Sequence, residues 1–295
     1  MRLLVTGGAG FIGSHSVDLL LARGHQVRVL DDLSSGKRDN LQAHPALELV
    51  IGDIRDRDTV QAVMAGIDGV LHLAAQVFVS VSIDQPVFSA SVNVLGTVQV
   101  LDAARLAGVR RVVYASSAAI YGTPEALPVA EDTPSRPLSP YGLEKLIDEQ
   151  YAALFQGLYG LSCCGMRYFN VYGPRQDPRS TYSGVISRFQ DAIAAGRPLT
   201  VFGDGLQTRD FVSVFDVARA TCAALTEHTS VEGVVNVATG TSITLLDLIA
   251  ALGRAAGRAL EVQHLPGRAG EGRDSRVVPT RMWQELGVRG AAIAF

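Results

Sequence analysis

A glycine-rich turn stands at the start of the chain, between a short apolar run and a helical pattern. Residues 2–14 read RLLVTGGAGFIGS, with glycines at positions 7, 10 and 13. Glycine is needed where a turn requires positive φ, where backbone approaches a phosphate, and where a helix packs closely on a strand. In a strand–turn–helix context, this spacing predicts a βαβ unit whose helix N-terminus binds the pyrophosphate of a dinucleotide.

Strand and helix patterns alternate along the first 160 residues. Runs rich in β-branched residues predict strands at 2–6, 26–30, 47–51, 69–73 and 111–116. Helical patterns lie between and after them, at 11–23, 57–65, 88–107 and 140–159. Because the strands are apolar on both faces, the alternation predicts an α/β fold with a doubly wound parallel sheet, the Rossmann arrangement.

The ends of two predicted helices carry their own signals. Ser139 and Pro140 stand where an N-cap and a first helical residue are expected, before the pattern 140–159. Gly108 and Gly160 each follow a helical run, at the position that favours left-handed backbone. These residues fix the predicted limits of the helices.

The pattern changes after residue 172. A long loop rich in Gly, Pro and polar residues is followed by predicted helices at 184–195, 214–226 and 244–257 and strands at 199–202, 234–237 and 260–264. We expect a Rossmann domain over 1–172 and a smaller C-terminal α/β substrate lobe over 173–295, with parts of 210–240 returning to the first domain. The crevice between the two is the expected binding site.

Composition excludes several classes of protein. Hydrophobic residues make up 47% and charged residues 19%, with a net charge of -3, so neither disorder nor a nucleic-acid or anionic-membrane partner is expected. Three cysteines, two of them adjacent, are not a disulfide framework, and the six histidines have no metal-ligand spacing. No membrane-length apolar run occurs, so we expect a cytoplasmic protein without a metal.

An acidic residue follows the second predicted strand. Asp31 lies eighteen residues after the last glycine of the turn, where a carboxylate would hold ribose hydroxyls and repel a 2′-phosphate. This position favours NAD over NADP, although Lys37 is close and Asp31 and Asp32 could simply shape a turn. Asp53, after the third strand, is either a partner for the adenine edge or a helix cap.

Tyr141 and Lys145 are spaced i and i+4 in the sequence SPYGLEK, so both project from one helical face. A tyrosine is a poor base at neutral pH, but a lysine ammonium beside it would stabilise its phenolate. Ser117 ends the fifth predicted strand, at the sheet edge where ligands bind, and could bridge a sugar hydroxyl and the tyrosine. This spacing alone is also common in surface helices.

The chain resembles the extended short-chain dehydrogenases/reductases, and among them the UDP-hexose 4-epimerases. The resemblance spans nearly the whole chain and rests on TGGAGFIG, GDIRD, HLAAQ, NVLGT, YASSAAIYG, YGLEK, RYFNVYGPRQ and TRDFVSVFDVA. It implies that Ser117, Tyr141 and Lys145 are catalytic, that NAD is the cofactor and that Asn93 is a structural asparagine near the active site. The NAD contacts expected from the turn, the acids and the resemblance are Gly7, Gly10, Phe11, Ile12, Gly13, Asp31, Asp32, Ser35, Gly36, Asp53, Ile54, Leu73, Ala74, Ala75, Gln76, Asn93, Tyr141, Lys145 and Tyr168.

Two alanines after Ser117 bear on the reaction. In similar dehydratases and decarboxylases, acids occupy the positions of Ala118 and Ala119, and a dehydratase needs such acids to remove a hydroxyl. Their absence favours 4-epimerisation: Tyr141 would take the 4-hydroxyl proton, NAD the C4 hydride, and the 4-keto sugar would turn over before reduction. The alternatives are a UDP-glucuronate decarboxylase or 4-epimerase of the same fold, and a non-catalytic NAD-binding regulator.

The resemblance also implies residues that hold the UDP-sugar. Asn170, Arg209 and Arg268 match nucleotide and diphosphate contacts, for which arginine is suited by its planar fork, although each arginine could be a surface charge. The full expected set is Ser117, Tyr141, Asn170, Gly184, Val185, Phe202, Arg209, Arg268 and Ser275, with Phe202 packing on the uracil.

Ser275 falls where relatives restricted to glucose and galactose carry a bulky tyrosine. A serine leaves volume for a 2-acetamido group, which favours UDP-GlcNAc/UDP-GalNAc, with UDP-Glc/UDP-Gal as a second pair. The alternative is that Ser275 faces solvent. Relatives pair the helices that match 88–107 and 140–159 into a homodimer, although burial within one chain would give the same pattern.

Overall fold

The structure is a computed structural model that describes residues 1–177, 184–266 and 274–293. Its strands are β1 (Arg2–Thr6), β2 (Gln26–Asp31), β3 (Leu47–Ile51), β4 (Gly69–His72), β5 (Arg111–Ser117), β6 (Ser162–Tyr168), β7 (Asn170–Tyr172), β8 (Leu199–Phe202), β9 (Thr208–Ser213), β10 (Gly233–Val237), β11 (Ser242–Thr244) and β12 (Val262–Leu265). Its α-helices are α1 (Phe11–Ala22), α2 (Arg57–Val63), α3 (Val79–Asp84), α4 (Pro86–Ala90), α5 (Gly96–Leu106), α6 (Pro140–Tyr159), α7 (Val185–Ala194), α8 (Val214–Thr226), α9 (Leu245–Ala255) and α10 (Thr280–Gln284).

Seven strands form one parallel sheet in the order β10-β6-β5-β4-β1-β2-β3. The sheet is covered on both faces because successive residues of a strand point to opposite sides. Leu3 of β1 packs in a core with α1 and α8, whereas Leu4 packs in another with α2, α5 and α6. The predicted doubly wound α/β fold is confirmed.

The C-terminal residues form a smaller α/β unit. Strands β7, β9 and β11 make a three-stranded sheet, β8 and β12 a two-stranded one, and α7 and α9 pack with them around Phe189 and Leu248. From the same half of the chain, β10 joins the large sheet and α8 packs on α1. We propose domains of residues 1–172 and 173–295, with α8 and β10 belonging physically to the first and β7, at the end of the first range, pairing with β9 of the second.

Local predictions differ from the structure at several points, and β9, β11, α3 and α10 are not among the predicted elements. Strand β6 has no counterpart among the predicted strands, and the loop predicted after 172 is preceded by β7, which pairs with β9. The predicted helix 88–107 begins at Pro86 and contains a π-helical turn at Ser91–Leu95. A π turn widens the helix locally, and here it carries Asn93, which is completely buried.

By length and composition, the helical segment Pro86–Leu106 is apolar enough to cross a membrane, with a mean hydropathy of 1.3. In the structure this segment packs against α2 and α6. Two polar residues of the segment, Asn93 and Thr97, are buried and make hydrogen bonds to protein groups. These contacts are those of a core helix in a folded domain.

Candidate active site

The glycine turn joins β1 to α1 in a conformation that demands glycine. Gly7 has a φ of +68°, and a Cβ there would lie 2.7 Å from the backbone nitrogen of Ala74. A Cβ on Gly13 would collide with the carbonyl oxygen of Gly7. Helix α1 then begins at Phe11 with no side-chain cap and no acid in its first turn. Its first N–H groups are therefore available to an anion, which fits a pyrophosphate.

Asp31 ends β2 with its carboxylate directed at this turn. Oδ2 accepts from the Ala9 N–H and Oδ1 from the Leu33 N–H, both at 2.9 Å. Burial raises the pKa of Asp31, and the two N–H groups offset part of that shift. A Cβ on Gly36 would lie 2.7 Å from Oδ1, so the loop after β2 approaches the carboxylate closely. Asp31 shapes the turn and keeps acceptor capacity for ribose hydroxyls.

Two neighbours of this region are already paired. Lys37 Nζ binds Asp177 Oδ2 at 3.0 Å, in an exposed pair. Asp53 accepts from the guanidinium and backbone N–H of Arg55, and the side-chain hydrogen bond lowers the pKa of Asp53. An adenine partner at Asp53 would compete with Arg55. The side chain of Ile54, beside it, packs in the core.

Residues 73–76 follow β4 and lie against the glycine turn. The Leu73 N–H donates to the Thr6 carbonyl at 3.0 Å, and the Ala74 N–H donates to Thr6 Oγ1 at 3.2 Å. The Gln76 N–H donates to Asn93 Oδ1 at 2.8 Å, and Asn93 Nδ2 donates back to the Gln76 carbonyl at 2.9 Å. Asn93 thereby fixes the segment predicted to line the cofactor.

The remaining predicted NAD contacts fall into two groups. Asp32 accepts from the N–H and hydroxyl of Ser34 in the loop that also carries Ser35. Tyr168 ends β6, is 8% exposed, and bonds through its hydroxyl to Thr221 of α8 at 2.9 Å. The side chain of Tyr168 thus belongs to the core between the sheet and α8, and its contact with a cofactor stays a prediction.

Ser117 and Tyr141 come from two elements that meet at the carboxyl edge of the sheet. Ser117 ends β5, and its Oγ accepts from the Ala119 N–H at 3.1 Å, which leaves the hydroxyl proton free to donate. Tyr141 lies in the first turn of α6, where its N–H donates to Ser82 Oγ at 3.1 Å. As predicted, Ser139 caps this helix and accepts from the Gly142 N–H.

Lys145 lies one turn further along α6 and is almost completely buried. Its Nζ donates to Asp148 Oδ2 at 3.0 Å. Burial lowers the pKa of Lys145, but the neighbouring Asp148 and Tyr141 more than reverse that effect, so the net shift is upward. The lysine therefore carries its positive charge near Tyr141 at neutral pH.

A cavity of about 710 Å³ opens beside these groups, between the large sheet and the C-terminal unit. Ala118, Ala119 and Ser139 line it next to the predicted catalytic residues, whereas Ser117, Tyr141 and Lys145 themselves are not among its lining residues. Six predicted substrate residues line it elsewhere: Asn170, Gly184, Val185, Phe202, Arg209 and Ser275. The volume lies within the range typical of small-molecule sites. The structure thus brings most of the predicted substrate set to one cavity.

Ser275 forms part of the cavity wall rather than the outer surface. Its carbonyl accepts from Ser242 Oγ at 2.5 Å, and its N–H donates to Thr208 Oγ1 at 3.3 Å. Asn170 Nδ2 donates to the Asp210 carbonyl at 3.1 Å. Of the other predicted substrate contacts, Ser117 and Tyr141 do not line the cavity, and Arg268 lies outside the described residues.

Sequence reasoning missed two acids of α6. Glu144 is buried and accepts from Ser89 Oγ at 2.7 Å and from Asn93 Nδ2 at 2.6 Å. Asp148 binds Lys145. A signal for Asp148 was present, because its i+3 spacing from Lys145 places both on one helical face. Glu144 lies on the adjacent helical position, and its partners come from a distant segment that periodicity cannot identify.

Comparison with known proteins gives consistent matches. The family model described as the NAD dependent epimerase/dehydratase family matches residues 3–238. The UDP-glucose 4-epimerase of Mycolicibacterium smegmatis is 45% identical over 293 residues, which cover 97% of this chain and 93% of that protein.

Two solved structures are also similar. The UDP-glucose 4-epimerase of Thermus thermophilus, in complex with NAD, is 41% identical with a TM-score of 0.91, covering 100% of this chain and 95% of that one. The UDP-N-acetylglucosamine 4-epimerase of Methanobrevibacter ruminantium, in complex with UDP-N-acetylmuramic acid, is 34% identical with a TM-score of 0.94, covering 98% and 93%. Together with the family match, these findings confirm the predicted NAD cofactor.

Proposed function

The chain belongs to the NAD-dependent epimerase/dehydratase family, and we propose that within it the protein is a 4-epimerase of UDP-sugars. The observation that carries this proposal is the catalytic edge of the cavity. Ala118 and Ala119 line the cavity directly after Ser117, and the Ser117 hydroxyl, the Tyr141 phenol and the Lys145 ammonium come from β5 and α6, the elements beside it.

The residues of the chain account for the proton transfers of such a reaction. Tyr141 removes the proton of the sugar 4-hydroxyl, directly or through Ser117 Oγ, and returns it when the hydroxyl is restored. Lys145, charged and buried nearby, stabilises the phenolate form of Tyr141. NAD, when bound, supplies the acceptor and donor of the C4 hydride. The 4-keto sugar must then turn within the cavity, so that the opposite face of C4 meets the hydride donor.

The alanines also argue against a net elimination. Removal of a hydroxyl needs a group that can give it a proton, and the methyl groups of Ala118 and Ala119 cannot do so. The 4-keto sugar is therefore expected to be reduced again at C4, which returns the cofactor to its oxidised form in each cycle. The relatives named as 4-epimerases support the same assignment.

We further propose UDP-GlcNAc and UDP-GalNAc as the preferred pair, with UDP-Glc and UDP-Gal as a second pair. The support is the small side chain of Ser275 on the cavity wall, where a 2-acetamido group needs volume. The relatives include proteins named for each of the two sugars.

The test is product analysis by NMR, with purified protein and no added NAD. UDP-GlcNAc, UDP-Glc and UDP-glucuronate are offered separately, with the Tyr141→Phe variant as a matched control that lacks only the phenol hydroxyl. Growth of the C4 epimer to an equilibrium mixture, absent in the variant, supports the proposal. A decarboxylated or dehydrated product, or none from any sugar, would overturn it.

We also propose that the protein forms a homodimer through the segments 88–107 and 140–159. Large apolar side chains are exposed on both of them. They are Phe88, Leu95 and Leu106 on one and Leu143, Leu154 and Leu158 on the other, each at least 43% exposed. A row of this kind on two adjacent helices marks a contact surface, and a second copy of the chain offers the matching surface.

A further inference from the structure

An acidic side chain lies directly against the lysine assigned to the active site. Lys145 Nζ donates to Asp148 Oδ2 at 3.0 Å, and the two side chains are only 3% and 1% exposed. This hydrogen bond uses one of the three N–H donors of the ammonium group. Two donors remain for other partners.

The pair is not arranged to stabilise the fold. Asp148 Oδ1 is buried and lacks a hydrogen bond of good geometry in the described part of the chain, because the nearby Thr97 hydroxyl, which also lowers the pKa of Asp148, donates its proton to the Asn93 carbonyl at 2.5 Å. Burial raises the pKa of Asp148 to about 6, although Lys145 opposes that shift. A buried carboxylate with one unsatisfied oxygen costs free energy in the folded state. Its place beside Lys145 therefore calls for a role at the lysine.

We propose that Asp148 is a positioning residue that holds Lys145 in its charged form and directs its two remaining N–H groups toward Tyr141 and the cofactor. The proposal rests on the proposed function, in which Lys145 acts on Tyr141. Without Asp148, burial would favour the neutral amine, which cannot stabilise a phenolate. A neutral side chain at position 148 would also leave the direction of the ammonium group unfixed.

Other titratable groups face the pair from each neighbouring element. Glu144 lies on the same helix, Tyr114 on β5 and His72 on β4, and each interacts electrostatically with Asp148 or Lys145. Burial raises the pKa of Tyr114 well above its usual value. Burial, together with the charge of Lys145, lowers the pKa of His72 to about 3. His72 and Tyr114 are thus neutral over the range from about pH 4 to about pH 9.

The composition of the chain permits a direct measurement. Its only lysines are Lys37 and Lys145, so protein made with ¹³Cε-lysine gives two NMR signals, which Lys37→Arg assigns. In the unmodified protein, the Lys145 signal should shift near pH 6, as Asp148 titrates, and remain that of an ammonium through about pH 10. In Asp148→Asn, the step near pH 6 should vanish and Lys145 should lose its proton at a pH lower by about one unit or more.

The control variant is Asp102→Asn, which removes an acid of the neighbouring α5 whose partner is Arg105. It should leave the Lys145 signal unchanged. A Lys145 titration that is the same in Asp148→Asn as in the unmodified protein would overturn the proposal. If Asp148→Asn fails to fold, the unmodified protein decides, because a Lys145 that loses its proton below the usual pKa of a lysine is not held in its charged form and overturns the proposal.

The pH profile of epimerisation shows whether Asp148 positions Lys145 or only packs in the core. In Asp148→Asn, the alkaline limb of the turnover rate should move to lower pH together with the Lys145 titration. A rate lowered by the same factor at every pH would indicate lost packing and would count against the proposal. The NMR titration needs no substrate, so a protein that shows it without epimerising any UDP-sugar refutes the proposed function and not the role of Asp148.

Discussion

Replacing Ser275 with tyrosine tests how the cavity selects its sugar. Ser275 lines the cavity, and its backbone is fixed from two sides by Ser242 and Thr208. The wall cannot easily withdraw from a larger side chain, so the phenol ring must occupy cavity volume. Overfilling a packed site costs about 1–3 kcal/mol. We therefore expect kcat/KM for UDP-GlcNAc to fall about 5- to 150-fold, since about 1.4 kcal/mol corresponds to tenfold.

The same variant should change kcat/KM for UDP-Glc by less than about threefold, because that sugar has only a hydroxyl at C2. Ser275→Ala is the matched control, since it removes the hydroxyl without adding volume, and both sugars should retain their rates. The assay is the initial rate of epimer formation by NMR for each sugar and variant. Equal losses on the two sugars, or none on UDP-GlcNAc, would show that the volume at position 275 does not select the sugar.

Four further results are expected. Tyr141→Phe should retain bound NAD, read by absorbance after denaturation, while turnover falls about 10²- to 10⁴-fold; an active variant would exclude the phenol as the base. Gly13→Ala should lose NAD, because its Cβ would collide with the Gly7 carbonyl oxygen in the turn. Gly157→Ala, whose Cβ meets open space in α6, should keep NAD. Equal NAD content in the two variants would contradict the requirement for glycine at position 13. Because the pKa of Asp148 rises from 3.8 to about 6 on folding, the folded state holds a proton that the unfolded chain releases. As the pH rises from about 4 to about 6, the free energy of unfolding of the wild type should therefore fall by up to about 3 kcal/mol relative to that of Asp148→Asn, measured in denaturant titrations. A difference that does not change with pH would contradict this. Leu154→Asp should convert a dimer to a monomer, as measured by light scattering. An unchanged mass would show that Leu154 does not lie in the dimer interface.

The architecture of the first domain was largely predictable because its signals are local. The apolar runs of β1 to β5 and the glycine turn depend on neighbouring residues, and the structure retains all of them. Strand β6 escaped prediction because Gly165 interrupts its apolar pattern. A Cβ at that position would lie 2.7 Å from the ring of Tyr114 on β5, so the glycine is required by a neighbour that is distant in sequence.

The candidate site could be predicted from the sequence where the type and spacing of residues indicate a chemical role. Tyr141 and Lys145 share a helical face, and their spacing indicates the pair when it follows a glycine turn and alternating strands and helices. The pairing of Asp53 with Arg55 and of Glu144 with Asn93 could not be derived in this way. Which partner a charged side chain selects depends on the packing of elements that sequence periodicity does not describe.

In the proposed reaction the sugar is oxidised and reduced at C4 with the same hydrogen. Purified protein is given UDP-GlcNAc carrying deuterium at C4, in ordinary water and without added NAD, and the product is examined by NMR and mass spectrometry. We expect a C4 epimer that keeps its deuterium at C4. An epimer that has lost deuterium to solvent, or a product in which C4 is unchanged, would contradict it.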